Sequence, residues 1–138
     1  YDNGTSATGY VYGISAGSGS TVTGNTVRRN GYSATGSYVN GIRAYSGSTV
    51  TGNTAYNNGD SADGYSVYGI YAGSGCTVTG NTAYDNGDWA AGDVYGIHLG
   101  GYNLVDQNTA YSNGSGAGSA TNMTLGVGGC VYVNNVAP

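Results

Sequence analysis

The sequence predicts an all-β solenoid of about five coils, three short strands to a coil, and three observations predict it. A phrase recurs at a fixed step: STVTGNT begins at Ser20, STVTGNTAYNNG at Ser48, CTVTGNTAYDNG at Cys76, and a degraded copy, NLVDQNTAYSNG, at Asn103. The Asn of that phrase falls at Asn25, Asn53, Asn81 and Asn108, so the steps are 28, 28 and 27 residues. Gly-Ile recurs in phase at Gly13, Gly41, Gly69 and Gly96. Composition agrees with both: 28 Gly and 15 Tyr, one Pro, no Phe, no Lys or Glu, and Leu only at Leu99, Leu104 and Leu125. A fixed period of 20 to 50 residues marks stacked repeats, and this mixture suits strands joined by Gly/Asn turns better than helices. Residues 1–138 read as a single repeat domain.

Each column of the aligned repeats has a character. Val11 to Ile14, Val39 to Ile42, Val67 to Ile70 and Val94 to Ile97 form the first strand of each coil. Ile14, Ile42, Ile70 and Ile97 point inward, and so do Ala16, Ala44, Ala72 and Leu99 two residues on. The second strand is Thr-Val-Thr, with Val22, Val50, Val78 and Val105 inward. After a Gly-Asn bend the third strand turns Val27, Ala55, Ala83 and Ala110 inward. A variable loop follows Gly31, Gly59, Gly87 and Gly114, and around Ala34 and Ala62 it is expected to tolerate change. Coils stacked at about 4.8 Å bring like residues together. Asn25, Asn53, Asn81 and Asn108 can then pass amide hydrogen bonds along a ladder. Tyr56, Tyr84 and Tyr111 stack, with Tyr1 and Arg28 in the same column. A leucine-rich repeat has a similar period but needs Leu columns, which are absent.

The GI…STVTGNT…NNG pattern closely resembles the single-stranded, right-handed parallel β-helix repeats of the pectate-lyase-like superfamily, over nearly the whole chain. The resemblance identifies Asn25, Asn53, Asn81 and Asn108 with that superfamily's asparagine ladder. It also implies that a catalytic groove, where one exists, runs along the outer face of the first sheet. Lyases of the superfamily hold calcium there on clustered acids, with an Arg or Lys as base, and hydrolases need two carboxylates. The matching outward column here is Ser15, Arg43, Tyr71 and His98, which has no carboxylate. Arg43 and His98 stand two coils, about 10 Å, apart and read as surface residues. The chain is therefore expected not to be an enzyme, with no catalytic residue, no cofactor and no metal site. Asp60, Asp63, Asp88 and Asp93 fall in neighbouring loops and read as solvated acids, although oxygen-rich loops can hold calcium.

Net charge is −4, with Arg28, Arg29 and Arg43 the only basic residues, so nucleic acid is not an expected partner. No apolar run approaches the roughly 20 residues of a membrane span. The chain starts in mid-repeat at Tyr1 and reads as a mature, secreted protein of the extracellular space or cell surface. Asn3, Asn113 and Asn122 head glycosylation sequons. Cys76, Asn103 and Cys130 share one column, which separates the cysteines by about 10 Å, beyond the roughly 7 Å that a disulfide spans. Free thiols and a disulfide made by distorting the last turn both stay open. Thr21/Thr23, Thr49/Thr51 and Thr77/Thr79 form a flat outward array like the ice-binding faces of some β-solenoids, broken in the fourth coil by Leu104 and Asp106.

The termini carry the functional expectation. Tyr1, Asp2, Asn3 and Gly4 match Tyr84 to Gly87, and Asn134, Asn135, Val136, Ala137 and Pro138 match Gly80 to Tyr84. The last coil thus stops near the phase at which the first begins, with no capping helix. Uncapped solenoid ends recruit other chains, and a repeating interface that does not close makes a filament. The leading expectation is a structural protein that stacks head to tail with copies of itself through Tyr1, Asp2, Asn3, Asn134, Asn135, Val136 and Pro138. The alternative is a carbohydrate-binding or adhesive module whose Tyr and Asn ladders serve as a glycan platform. Ice binding and a polysaccharide-active enzyme rank below both.

Overall fold

The computed structural model describes residues 3–4, 6–36, 38–124 and 126–138. Among the described residues, fourteen parallel strands wind through four complete coils and begin a fifth, slightly fewer than the expected five. The first sheet stacks β1 (Val11–Ala16), β4 (Val39–Ala44), β7 (Ser66–Ala72), β10 (Asp93–Leu99) and β13 (Ser119–Met123) in that order. The second stacks β2 (Thr21–Thr23), β5 (Thr49–Thr51), β8 (Thr77–Thr79), β11 (Leu104–Asp106) and β14 (Val131–Val133). The third stacks β3 (Thr26–Arg28), β6 (Thr54–Tyr56), β9 (Thr82–Tyr84) and β12 (Thr109–Tyr111), and the fifth coil adds a bridge from Thr109 to Val136. The coils are in strict register: Ile14 pairs with Ile42, Ile42 with Ile70, and Ile70 with Ile97. Val22, Val50, Val78 and Val105 stack likewise and lead on to Tyr132.

Strand alternation fills the lumen. The central core joins the Ile, Val and Ala columns read from the sequence, from Val22 to Ala110, with Cys76 among them. A separate second core lies under the loops. There Ala34, Ala62 and Ala90 pack against Val11, Val39, Val67 and Val94. Each loop opens with a tight turn, Ala34 N–H donating to the Gly31 carbonyl and Ala62 N–H to that of Gly59, which folds the alanine under the valines. Ala34 is fully buried and Ala62 is 4% exposed, so the expectation that these loops tolerate any change is corrected at the alanine itself.

The asparagine ladder forms as expected. Asn53 Nδ2 donates to the Val22 carbonyl at 2.8 Å and to Asn81 Oδ1 at 3.0 Å, and Asn81 repeats this toward Val50 and Asn108. Asn135 continues it by accepting from Asn108 at 2.9 Å. A second ladder was not foreseen. Asn30, Asn58, Asn86 and Asn113 pass the same amide bond along the next corner, at 2.8, 2.9 and 2.8 Å. This ladder explains the Gly of Gly-Ile. A Cβ on Gly41 would sit 2.8 Å from Asn58 Nδ2 and 2.6 Å from the Gly69 carbonyl, and Gly69 faces Asn86 in the same way. In β13 the glycine column holds Asn122, whose Oδ1 accepts from Asn113 and whose Nδ2 donates to the Pro138 carbonyl. Asn122 thereby closes the second ladder as Asn135 closes the first.

Candidate functional site

The outer face of the first sheet gathers a dense set of aromatic rings. Register places Tyr12, Asn40, Tyr68 and Tyr95 in one outward column and Ser15, Arg43, Tyr71 and His98 in the next. Tyr10, Tyr38 and Tyr65 enter from the adjoining loops. Their rings stack at 5.8 and 5.4 Å between centroids, close to the coil spacing. Tyr68 and Tyr95 stack at 5.2 Å, and Tyr71 lies on His98 at 5.3 Å. His98 also presents its edge to Tyr68 and Tyr95. Flat aromatic ladders follow from parallel in-register strands, because each ring meets its equivalent one coil away.

Arg43 crosses this array. Its Nη1 donates to the Tyr12 hydroxyl at 2.7 Å, and its guanidinium carbon lies 5.5, 4.6 and 5.6 Å from the ring centres of Tyr12, Tyr45 and Tyr71. Such contacts hold a cation by attraction to the ring faces. The Arg43 Nε is buried with no hydrogen-bond partner among the described residues. Beside it opens a cleft of about 260 Å³, lined by Tyr10, Tyr38, Asn40, Arg43, Tyr68 and Tyr71. Asn40 causes the cleft: it stands where the neighbouring coils carry Tyr12 and Tyr68. Burial raises the Tyr68 hydroxyl pKa above its ordinary value and, with the adjacent Asp93, that of Tyr95. Burial lowers that of His98 and keeps its imidazole neutral near pH 7. The face at neutral pH thus carries the Arg43 cation and, at its edge beside Tyr95, the Asp93 carboxylate.

The other residues singled out in the sequence are spread over the molecule. Asn25 and Asn135 lie at opposite ends of the first ladder, and Asn134 and Val136 are exposed on the fifth coil. Asn3 is exposed and its N–H donates to Asn30 Oδ1. Tyr1 and Asp2 lie outside the described residues. Asn113 is 5% exposed with its amide in the second ladder, and Asn122 is half-buried at that ladder's end, so of the three sequon asparagines only Asn3 is exposed. Both cysteines are free, with Asn103 between them: Asn103 Oδ1 accepts from the Cys76 N–H, and its own N–H donates to Cys130 Sγ. Tyr56, Tyr84 and Tyr111 stack at 4.9 and 5.3 Å on the third sheet, with Arg28 bonded to the Tyr56 hydroxyl. The threonine pairs form the flat array on the second sheet.

Asp60 and Asp88 sit one above the other, each with one buried carboxylate oxygen lacking a partner. Burial, then the charges of Asp88 and Asp85, raise the Asp60 pKa to about 6. Among the described residues no group of three acids, histidines or cysteines converges on a metal position.

The cleft and the tyrosine columns beside it were missed from sequence. The signal was present in one letter: the second coil reads Val-Asn-Gly-Ile where the other three read Val-Tyr-Gly-Ile. Comparison with family models, with curated proteins and with solved structures finds no match.

Proposed function

We propose that this chain is a non-enzymatic β-helix module of the extracellular space or cell surface that binds glycans on the tyrosine face of its first sheet. The resemblance of its coils to right-handed β-helices of the pectate-lyase-like superfamily belongs to the same reading. One observation carries it: the rings of Tyr10, Tyr38, Tyr68 and Tyr71 surround a cleft with an amide and a guanidinium in it, and Tyr95 extends the array by stacking on Tyr68. Sugar rings present apolar C–H faces that stack on aromatic rings and hydroxyl edges that pair with amides and guanidinium groups. Binding sites of this kind are apolar clefts with a few placed polar groups. The two outward columns contain no carboxylate, whereas glycoside hydrolysis uses a pair of them. The test is a glycan array probed with the parent protein and with a Tyr68→Ala/Tyr71→Ala double variant. Selective glycan binding lost in the folded variant supports the reading, and an array without signal refutes it.

A second reading is self-stacking along the solenoid axis into a filament. It is favoured by the Asn25 Oδ1 atom, which accepts no hydrogen bond among the described residues, while Asn135 on the opposite face offers the next donor of the same ladder. The open lumen at each face is lined by Ile14 and Val27 on one side and by Met123 and Tyr132 on the other. A second copy set on this face in register would extend all three sheets. Electron microscopy of the purified protein tests it: fibres support stacking, and a monodisperse monomer at high concentration refutes it.

A further inference from the structure

We infer that the gap at Asn40 is a single-ring subsite, which takes one neutral pyranose in the place of the missing tyrosine and grips it by two neighbouring hydroxyls. The inference rests on the glycan reading of the face and narrows it to one pocket. Tyr12 and Tyr68 lie two coils apart, about 10 Å. Rings on adjacent coils of this protein stack at 4.9 to 5.8 Å. The vacancy therefore has room for one ring's layer and no more. Its volume, about 260 Å³, lies just below the roughly 300–1,000 Å³ of clefts that hold drug-sized ligands, which suits a monosaccharide unit.

The chemistry at the bottom of the gap is specific. Asn40 is 3% exposed, and its side-chain amide makes no hydrogen bond among the described residues. Every other buried asparagine that repeats along the two ladders is bonded on both sides. Neither polar atom of the Asn40 amide is among those sealed from solvent without a partner; the amide opens into the cleft it lines, where a ligand can take the place of water. An amide offers an acceptor and two donors side by side. Two adjacent pyranose hydroxyls match it, one donating to Oδ1 and one accepting from Nδ2. A plain aromatic ring would leave the amide unpaired. The Arg43 guanidinium adds donors beside the cleft and is held in place by the Tyr12 hydroxyl and the Tyr12, Tyr45 and Tyr71 rings.

Two variants separate this site from the wider platform. Asn40→Tyr rebuilds the column found in three other coils and closes the gap. Asn40→Ala keeps the gap and removes the amide. The titrants are free glucose, galactose, mannose and phenol, together with a tetrasaccharide selected on the array, followed by NMR of the Asn40 side-chain amide in the parent and of the Tyr38, Tyr68 and Tyr71 ring signals in the parent and both variants. The expected result is a shift of the Asn40 amide signal with at least one hexose. Asn40→Ala should weaken that hexose about tenfold, the loss of one or two hydrogen bonds, and Asn40→Tyr should abolish its binding, with unchanged circular dichroism melts. Three results overturn the inference: no hexose shifts the signal, phenol binds and the hexoses do not, or Asn40→Tyr leaves hexose affinity unchanged. If Asn40→Tyr spares the tetrasaccharide while Tyr95→Ala weakens it, the platform stands and the single-ring subsite falls. If the parent binds no tetrasaccharide, the glycan reading itself fails.

Discussion

Replacing Asn86 by Ala removes a fully bonded interior member of the second ladder. Its Nδ2 donates to the Ala55 carbonyl at 3.0 Å, the Tyr84 carbonyl at 3.1 Å and Asn113 Oδ1 at 2.8 Å. Its Oδ1 accepts from the backbone N–H of Asn58 at 3.2 Å and from Asn58 Nδ2 at 2.9 Å. Asn86 is fully buried, so water cannot replace these bonds. The Ala55 carbonyl and the Asn58 N–H, both interior, lose this partner, at about 1–3 kcal/mol for each orphaned group. Partial repair by Asn58 and Asn113 leaves an expected loss of roughly 3–5 kcal/mol, a large fraction of the about 5–15 kcal/mol that holds an ordinary domain together. Asn25→Ala is the internal control. Asn25 is half-exposed at the open end of the first ladder, where solvent can satisfy its partners, and its loss should cost about 1 kcal/mol. Urea unfolding followed by circular dichroism at 218 nm measures both. Equal losses for the two variants, or an Asn86→Ala loss below 1 kcal/mol, would refute the claim that the ladders hold the coils together.

Stability should fall as pH rises through the Asp60 titration. The folded state holds the Asp60 pKa at about 6, above its ordinary 3.8, so the fold binds the proton more tightly than the unfolded chain does. The contribution is full below pH 4 and gone above pH 6. Asp60→Asn should therefore melt like the parent at pH 4 and higher than it at pH 7.5; a constant difference across pH contradicts the assignment. Ala62→Leu should destabilise the protein by about 1–3 kcal/mol through overpacking beneath Val39 and Val67, whereas exchanges at exposed Tyr65 should cost little; calorimetry of both variants checks the second core. Under oxidising conditions the protein should keep two titratable thiols per chain after unfolding in denaturant, and native Cys76 should alkylate far more slowly than the less buried Cys130; mass spectrometry of the labelled protein reads both.

Much of this architecture was legible because a solenoid writes its contacts at a constant offset. A residue's neighbours are its own equivalents 27 or 28 positions away, so aligning the repeats is equivalent to reading the contact map. The Ile14, Val22 and Val27 columns and the first ladder followed directly. The second ladder was hidden because Asn-Gly at Asn30, Asn58, Asn86 and Asn113 also reads as an ordinary turn signal. Only the clash that a Cβ on Gly41 or Gly69 would make shows that the glycine and the asparagine are one device. The loops looked permissive because their sequences vary, yet the Gly-x-x-Ala turn tucks one small residue into a core. The candidate site was hardest to see. It depends on a departure from the repeat, Asn40, and periodicity arguments average such departures away.

The central claim places glycan contact on the tyrosine face of the first sheet, and one experiment locates contact directly. A glycan selected on the array is titrated into isotopically labelled protein while aromatic and amide signals are followed by NMR. The account predicts shifts concentrated at Tyr10, Tyr38, Asn40, Arg43, Tyr68 and Tyr71, with the Thr49 and Thr51 array and the Val131 to Val136 end unmoved. Shifts confined to the threonine array or to either end of the solenoid, with the tyrosine face silent, would contradict it.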